Sequence, residues 1–339
     1  MTSPSLRPLA GEPLELFELL RRWLAEPDGP VVVRTSGSSG EPKDVVLSPA
    51  ALRASARAAD ARLGGAGRWL LALPATYVAG LNVLVRSALA GHPPVLTDGP
   101  LERAAATMRG ERTYTALVPT QLHRLAAAGE LSALSGFDAV LVGGAALRPE
   151  LAQQAVAAGV EVVQTYGASE TCGGCVYDGV PLDGVEVRLD DGRVQLAGPV
   201  LFDGYAGRPE LTAQVLVDGW FSTGDLGRLD EGRLQVLGRA DDVAVSGGVN
   251  VALGAVTSAL LSVPGVRDAV AVGVPDGEWG SRVVAVVAGS TDLLAVRETV
   301  AAALPRAWAP QRLVLVDALP LLDTGKVDRA GVQALAAGS

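Results

Sequence analysis

Val31-Val-Val-Arg-Thr-Ser-Gly-Ser-Ser-Gly-Glu-Pro-Lys43 is the stretch on which the reading of this chain turns, because an apolar run feeds a Ser/Thr/Gly loop ending in a lysine. Gly37 and Gly40 permit positive φ, so backbone N–H groups and the hydroxyls of Thr35, Ser36, Ser38 and Ser39 can converge on phosphoryl oxygens, with Lys43 adding a point charge. The ordinary P-loop needs four residues between its glycines and Ser or Thr after the lysine; here only Ser38 and Ser39 intervene, and Asp44 follows Lys43. In isolation the loop fits a flexible connection as well as a phosphate cradle. The rest of the chain separates the two.

At 339 residues the chain is long enough for about two domains with substantial cores. A 49% hydrophobic and 19% charged composition excludes a disordered chain, and no apolar run reaches the roughly 18 residues of a membrane span, so a soluble protein without a membrane partner is expected. Met1-Thr-Ser-Pro-Ser-Leu-Arg-Pro8 lacks a continuous apolar stretch, which argues against a secretory signal and for a cytoplasmic location. A net charge of −9 argues against a nucleic-acid surface, which needs a basic face, so any phosphate affinity is local. The only cysteines, Cys172 and Cys175, have a spacing open to a redox pair or half a zinc site; with no second pair, and with His92 and His123 far off in sequence, reduced, partly buried thiols are the simpler reading.

Residues 48–150 alternate short apolar runs with Ala-rich helical stretches, the rhythm of an α/β domain with parallel strands. Ser48-Pro49 reads as an N-cap followed by a first-turn proline, opening a helix over Ala50 to Leu63. Leu70–Pro74, Ala116–Pro119 and Ala139–Val142 read as buried strands, each followed by a turn or small-residue stretch where ligands commonly sit. After about residue 180 the period becomes two: Val185, Val187 and Leu189 lead into Asp190-Asp-Gly192, and Val194 and Leu196 lead away, as in a hairpin. A second hairpin is expected around Asp230-Glu-Gly232. Gly238-Arg-Ala-Asp-Asp242 then breaks the strand, placing a boundary near residue 240 between a domain over 1–239 and a smaller α+β domain over 240–339.

Five further motifs follow the loop in order: Gly143-Gly-Ala145, Tyr166-Gly-Ala-Ser-Glu-Thr171, Ser222-Thr-Gly-Asp225, Gly238-Arg-Ala-Asp241 and Thr324-Gly-Lys326. Together the six resemble the acyl-adenylate-forming superfamily of acyl-CoA synthetases, adenylation domains and luciferases, from about residue 30 to 330. The resemblance implies a large N-terminal adenylate-forming domain of mixed sheets and helices, shortened at its N-terminus, and a small mobile C-terminal α+β domain. It also implies ATP and coenzyme A as substrates with magnesium, because a carboxylate attacking the α-phosphate of ATP is an anion approaching an anion, and positive charge must offset the repulsion.

Carried over residue by residue, the resemblance gives Thr35 to Gly40 and Lys43 the β- and γ-phosphates, Glu170 the magnesium ion, and Ser169 the α-phosphate. Gly143, Gly144, Ala145, Tyr166 and Gly167 match the adenine pocket, and Asp225 and Arg239 hold the ribose hydroxyls, for which a carboxylate is a suitable acceptor. Lys326 matches the lysine that bridges the acyl carboxylate and the α-phosphate, Asp241 the hinge about which the small domain swings, and Ser246-Gly247-Gly248 the loop near the thiol channel of coenzyme A.

Within the superfamily, shortened chains of this kind resemble the o-succinylbenzoate-CoA ligases of menaquinone biosynthesis. The supporting segment is Leu73-Pro-Ala-Thr-Tyr-Val-Ala-Gly-Leu-Asn-Val-Leu-Val-Arg86, in which Tyr77, Ala79, Gly80 and Arg86 match the acyl pocket and Tyr77 replaces the family's histidine. Arg86 is expected to hold the aromatic carboxylate of this diacid bidentately, the alternative being a surface arginine on an amphipathic helix. Asp44 replaces a frequent glycine, and Gly254-Ala-Val-Thr257 lacks glutamates usual in the small domain. Two other activities stay open: a CoA ligase or amide synthetase for another aromatic acid, and a non-catalytic nucleotide-binding regulator. A homodimer is compatible with the reading.

Overall fold

The structure is a computed structural model and describes residues 12–35, 42–97, 101–108, 111–320 and 327–338. Helix α1 (Pro13–Ala25) precedes strand β1 (Val31–Thr35), which pairs antiparallel with β2 (Lys43–Leu47) in the register Val33↔Val45 and Thr35↔Lys43. The apolar run at Val31 is therefore a buried strand, and its partner brings Lys43 directly opposite Thr35 at the mouth of the Ser/Gly loop. Asp44, which departs from the family pattern, faces Arg34 across this ladder, with Arg34 Nε donating to it at 2.9 Å. Helix α2 (Pro49–Leu63) starts as the sequence predicts: Ser48 caps it, its Oγ accepting from the Ala51 N–H at 3.1 Å.

The next region is a doubly covered sheet. Its strands are β3 (Arg68–Leu71), β4 (Val95–Leu96), β5 (Thr113–Leu117), β6 (Ala139–Val142), β7 (Val162–Ala168), β8 (Gly173–Tyr177) and β9 (Val180–Pro181), in the spatial order β4-β3-β5-β6-β7-β8-β9. Pairing is parallel from β4 through β7 and antiparallel from β7 to β9. Helices α3 (Val78–Ala90), α4 (Leu101–Ala106), α5 (Pro119–Ala128) and α6 (Pro149–Ala157) make the crossovers. Leu70, Leu117, Val140 and Val142 from the strands pack with Leu122 and Leu151 from the helices in one apolar cluster, each fully buried Leu or Val contributing about 1.5–3 kcal/mol. Strand β3 begins two residues earlier than the apolar run suggests and ends at Leu71; the Tyr77 N–H then donates to the Pro74 carbonyl in the turn that leads into α3.

Both hairpins form. Strands β10 (Glu186–Asp190) and β11 (Arg193–Ala197) are joined through Asp191 and Gly192, both at positive φ, the two-residue turn whose twist matches paired strands. Strand β12 (Gly204–Tyr205) joins β2 as the third strand of the first sheet, and α7 (Pro209–Val215) follows it. After β13 (Leu216–Val217), strands β14 (Trp220–Asp230) and β15 (Arg233–Arg239) turn through Glu231 and Gly232.

The remaining strands, β16 (Val243–Ser246), β17 (Val249–Ala252), β18 (Val266–Asp276), β19 (Gly280–Gly289) and β20 (Arg312–Val316), form a sheet with helices α8 (Leu253–Leu260), α9 (Leu293–Ala303) and α10 (Arg329–Ala337). Strands β18 and β19 are apolar on both faces. Ala269, Ala271, Val283, Ala285 and Val287 enter a cluster with Val256 and Val296, while Val270, Val272, Val284 and Val286 meet Val332 and Ala336. Alternation at period two on a sheet covered on both sides explains the unbroken apolar runs.

By internal contacts the chain divides into two compact units. One comprises the residues up to Arg188 with Gln195–Thr223 and Asp230–Leu234; the other comprises Leu189–Val194, Gly224–Leu229 and the residues from Gln235 onward. No described helix is long and apolar enough to cross a membrane.

Candidate active site

Glu170 sits in a single 3-10 turn, Ser169–Thr171, between β7 and β8. The turn is tightly held. The Thr171 hydroxyl accepts from the Ala168 N–H at 2.9 Å and donates to the Gly173 carbonyl at 2.7 Å, and the Cys172 carbonyl accepts from Asn82 Nδ2 at 2.6 Å. Asn82 and Thr171 are buried, so the turn is pinned from beneath by groups that have no water to exchange with. At the tip, Tyr205 Oη donates to Glu170 Oε1 at 2.7 Å. Burial and then the charge of Glu170 push the Tyr205 phenol well above its ordinary range, which keeps it a donor. Lys43 Nζ lies 5.2 Å from the centroid of the Tyr205 ring, a cation–π contact. The expected phosphate lysine and metal carboxylate are thus joined through one tyrosine.

The glycine and tyrosine motifs lie at the C-terminal ends of β6 and β7, the end at which parallel sheets commonly place ligands. Gly143 is required sterically, because a Cβ there would come within 2.3 Å of Thr165 Oγ1. Gly144 and Ala145 are exposed at the strand end, and Tyr166 Oη donates to Thr223 Oγ1 at 3.4 Å. Ser169 and Gly167 are half-buried beside them in the chain. Thr35 Oγ1 donates to the Lys43 carbonyl at 3.4 Å, closing the loop's mouth. Ser36, Gly37, Ser38, Ser39 and Gly40, like Lys326, lie outside the described residues.

Tyr77, Ala79 and Gly80 open helix α3, with Tyr77 54% exposed and Gly80 buried against Pro74. Arg86 is buried. It is not the surface arginine of the alternative reading: only 4% exposed, its guanidinium lies 4.9 Å from the Trp69 ring centroid and donates to Tyr177 Oη at 3.2 Å. Nine residues of helix separate it from Tyr77, about 13 Å. Trp69 is the second residue of β3, near the strand's start rather than its ligand-facing end. Asp60, whose carboxyl is pushed up by burial and partly drawn back by the charge of Arg86, is its electrostatic neighbour. The geometry makes Arg86 an interior cation that ties α3 to the sheet.

In the second unit, Asp225, Arg239 and Asp241 form one cluster: Arg239 Nη1 is 3.5 Å from Asp225 Oδ1, and Nε is 3.2 Å from Asp241 Oδ1. Burial raises the Asp241 carboxyl, but hydrogen bonding to and the charge of Arg239 outweigh it and leave the group below its ordinary range. Gly247 and Gly248 form the two-residue turn between β16 and β17, where Ser246 pairs with Val249. The Ser246 hydroxyl is not offered to solvent; it is buried and accepts from Gln311 Nε2 at 3.0 Å. Cys172 and Cys175 are free and buried, and burial pushes both thiols up, Cys175 to about 12, so the thiolate that metal binding and redox exchange require is disfavoured.

Sequence reasoning missed Tyr205, Thr171, Asn82 and Gln311. Thr171 and Asn82 lay inside quoted segments without being singled out; Tyr205 reaches Glu170 through the pairing of β12 with β2, a contact across 35 residues that no local pattern encodes.

The AMP-binding enzyme family matches residues 21–205, and the AMP-binding enzyme C-terminal domain matches residues 255–326. A protein of Mycobacterium tuberculosis named probable 2-succinylbenzoate–CoA ligase is 46% identical over 322 residues, covering 90% of this chain and 84% of that protein. A 2-succinylbenzoate–CoA ligase of Geobacillus kaustophilus is 34% identical, covering 85% of this chain and 66% of its own length. Among solved structures, o-succinylbenzoate CoA synthetase of Bacillus subtilis in complex with its acyl-adenylate intermediate superposes with a TM-score of 0.76 at 27% identity, covering 89% of this chain and 68% of that one. An amide bond synthetase of Marinactinospora thermotolerans gives 0.79 at 30% identity, covering 91% and 70%.

Proposed function

Because this chain belongs to the AMP-binding enzyme family, we propose that it is an ATP-dependent o-succinylbenzoate–CoA ligase serving menaquinone biosynthesis in the cytoplasm. The observation that carries this reading is the 46% identity, over 90% of the chain, to a relative named for that reaction. In the first step an oxygen of the succinyl carboxylate attacks the α-phosphorus of ATP, the bond to the bridging oxygen breaks, and pyrophosphate leaves. In the second the thiolate of coenzyme A attacks the acyl carbonyl, and AMP departs with the electron pair.

Each step needs charge placed in advance. Thr35 to Gly40 and Lys43 hold the outgoing phosphates, Ser169 meets the α-phosphate, Gly143 to Ala145 with Tyr166 and Gly167 take the adenine, and Asp225 with Arg239 takes the ribose. Tyr77, Ala79 and Gly80 line the acyl group. Lys326 bridges the two reacting anions in the first step; the domain from residue 240 then turns about Asp241, and Gly247 and Gly248 approach the thiol of coenzyme A. Magnesium fits the donor set: Glu170 presents a hard carboxylate bonded to a neutral phenol, and one or two carboxylates plus substrate phosphates are the usual holders of this ion. When bound, magnesium supplies positive charge against the phosphate oxygens.

Lys326→Ala tests the assignment. Pyrophosphate release is expected to fall by at least about a hundredfold, while preformed acyl-adenylate is still converted by coenzyme A to a product with the mass of the thioester. Unchanged pyrophosphate release overturns the assignment of the lysine, and a product formed only with an amine overturns the CoA ligase reading.

A further inference from the structure

Strand β12 is stitched to two parts of the site at once. The Asp203 N–H donates to the Val46 carbonyl and the Ala206 N–H to the Asp44 carbonyl, fixing the segment on β2, while the Phe202 N–H donates to the Glu170 carbonyl at 2.9 Å. Between these ties Tyr205 pairs with Val45, two residues from Lys43, and its ring is wedged edge-on against Phe202 at 5.0 Å between centroids. The ring therefore has a fixed position, and its one polar atom is spent on Glu170 Oε1. A carboxylate offers about four lone-pair sites, so a single donor orients it without exhausting it.

We propose that Tyr205 is a positioning residue for adenylation: its hydroxyl holds one oxygen of Glu170 so that the carboxylate presents the rest of its acceptor capacity to a divalent cation, beside Lys43 of the neighbouring strand, whose ammonium lies over the Tyr205 ring. This rests on the reading of Glu170 as the metal carboxylate. Tyr205 does not itself touch substrate. A free glutamate side chain would have to lose rotamer freedom when the cation binds; one already held by a rigid phenol has lost it on folding.

Tyr205→Phe removes the hydroxyl and keeps the ring against Phe202 and Lys43. Manganese affinity of the enzyme with a non-hydrolysable ATP analogue, read by electron paramagnetic resonance, is expected to weaken about tenfold, the size of a lost hydrogen bond to a charged group. The kcat for pyrophosphate release should fall with it, with KM for the acid and conversion of preformed adenylate by coenzyme A unchanged. Phe202→Leu, which loosens the packing and spares the hydroxyl, should lower the Tm and leave manganese affinity within about twofold. If Tyr205→Phe binds manganese as the parent does, the positioning role is overturned; if Glu170→Gln also binds it unchanged, the metal reading of Glu170 fails as well.

Discussion

Arg86 shows how a residue type can be legible while its surroundings are not. An arginine in an apolar helix signals a bound anion or a buried partner, and only three-dimensional placement separates the two. Here Trp69 and Tyr177 are the partners, drawn from strands far apart in sequence. Arg86→Ala is expected to cost about 3–5 kcal/mol in urea denaturation, because Asp60 and Tyr177 lose their buried counterpart, and to raise KM for the diacid if the guanidinium also holds its carboxylate. A folded variant with an unchanged KM would remove the substrate-carboxylate role. Asp44 is the opposite case. It departs from the family pattern, yet its cross-strand pairing with Arg34 accounts for a carboxylate at that position.

At the level of elements, local signals read well wherever geometry is set by neighbours in sequence. Ser48-Pro49 marked the start of α2, and the Asp-Gly and Glu-Gly dipeptides marked both hairpin turns, since each depends on backbone conformations that few residues adopt. The start of β3 was not legible, because Arg68 carries no apolar signal and joins the sheet only through pairing with Thr113 on β5. Helix α3 offers a test. A Cβ at Gly80 would come within 2.2 Å of the Pro74 carbonyl, whereas one at Gly91, at the other end of the helix, meets open space. Gly80→Ala should therefore shift the first turn, costing about 1–3 kcal/mol and raising KM for the acid but not for ATP. Gly91→Ala, strained only by its positive φ, should cost about 1–2 kcal/mol and leave both KM values alone. Equal effects of the two on KM would contradict a pocket wall at Tyr77–Gly80.

Across the whole molecule, six short motifs spread over some 300 residues carried the superfamily reading, since each is weak alone and their order is the signal. The fold delivers several of them to shared places: Lys43 and Glu170 meet through Tyr205, and Asp225, Arg239 and Asp241 form a cluster. The acid was read from the single segment Leu73–Arg86 and the shortened chain, and relatives named 2-succinylbenzoate–CoA ligase agree with that reading. The direct measurement is pyrophosphate release with ATP, magnesium and coenzyme A across o-succinylbenzoate, benzoate, a medium-chain fatty acid and no acid. A kcat/KM for o-succinylbenzoate at least about a hundredfold above the others, a difference of roughly 2.7 kcal/mol in transition-state binding, is the predicted result; equal or faster turnover of benzoate or the fatty acid would contradict the proposed activity.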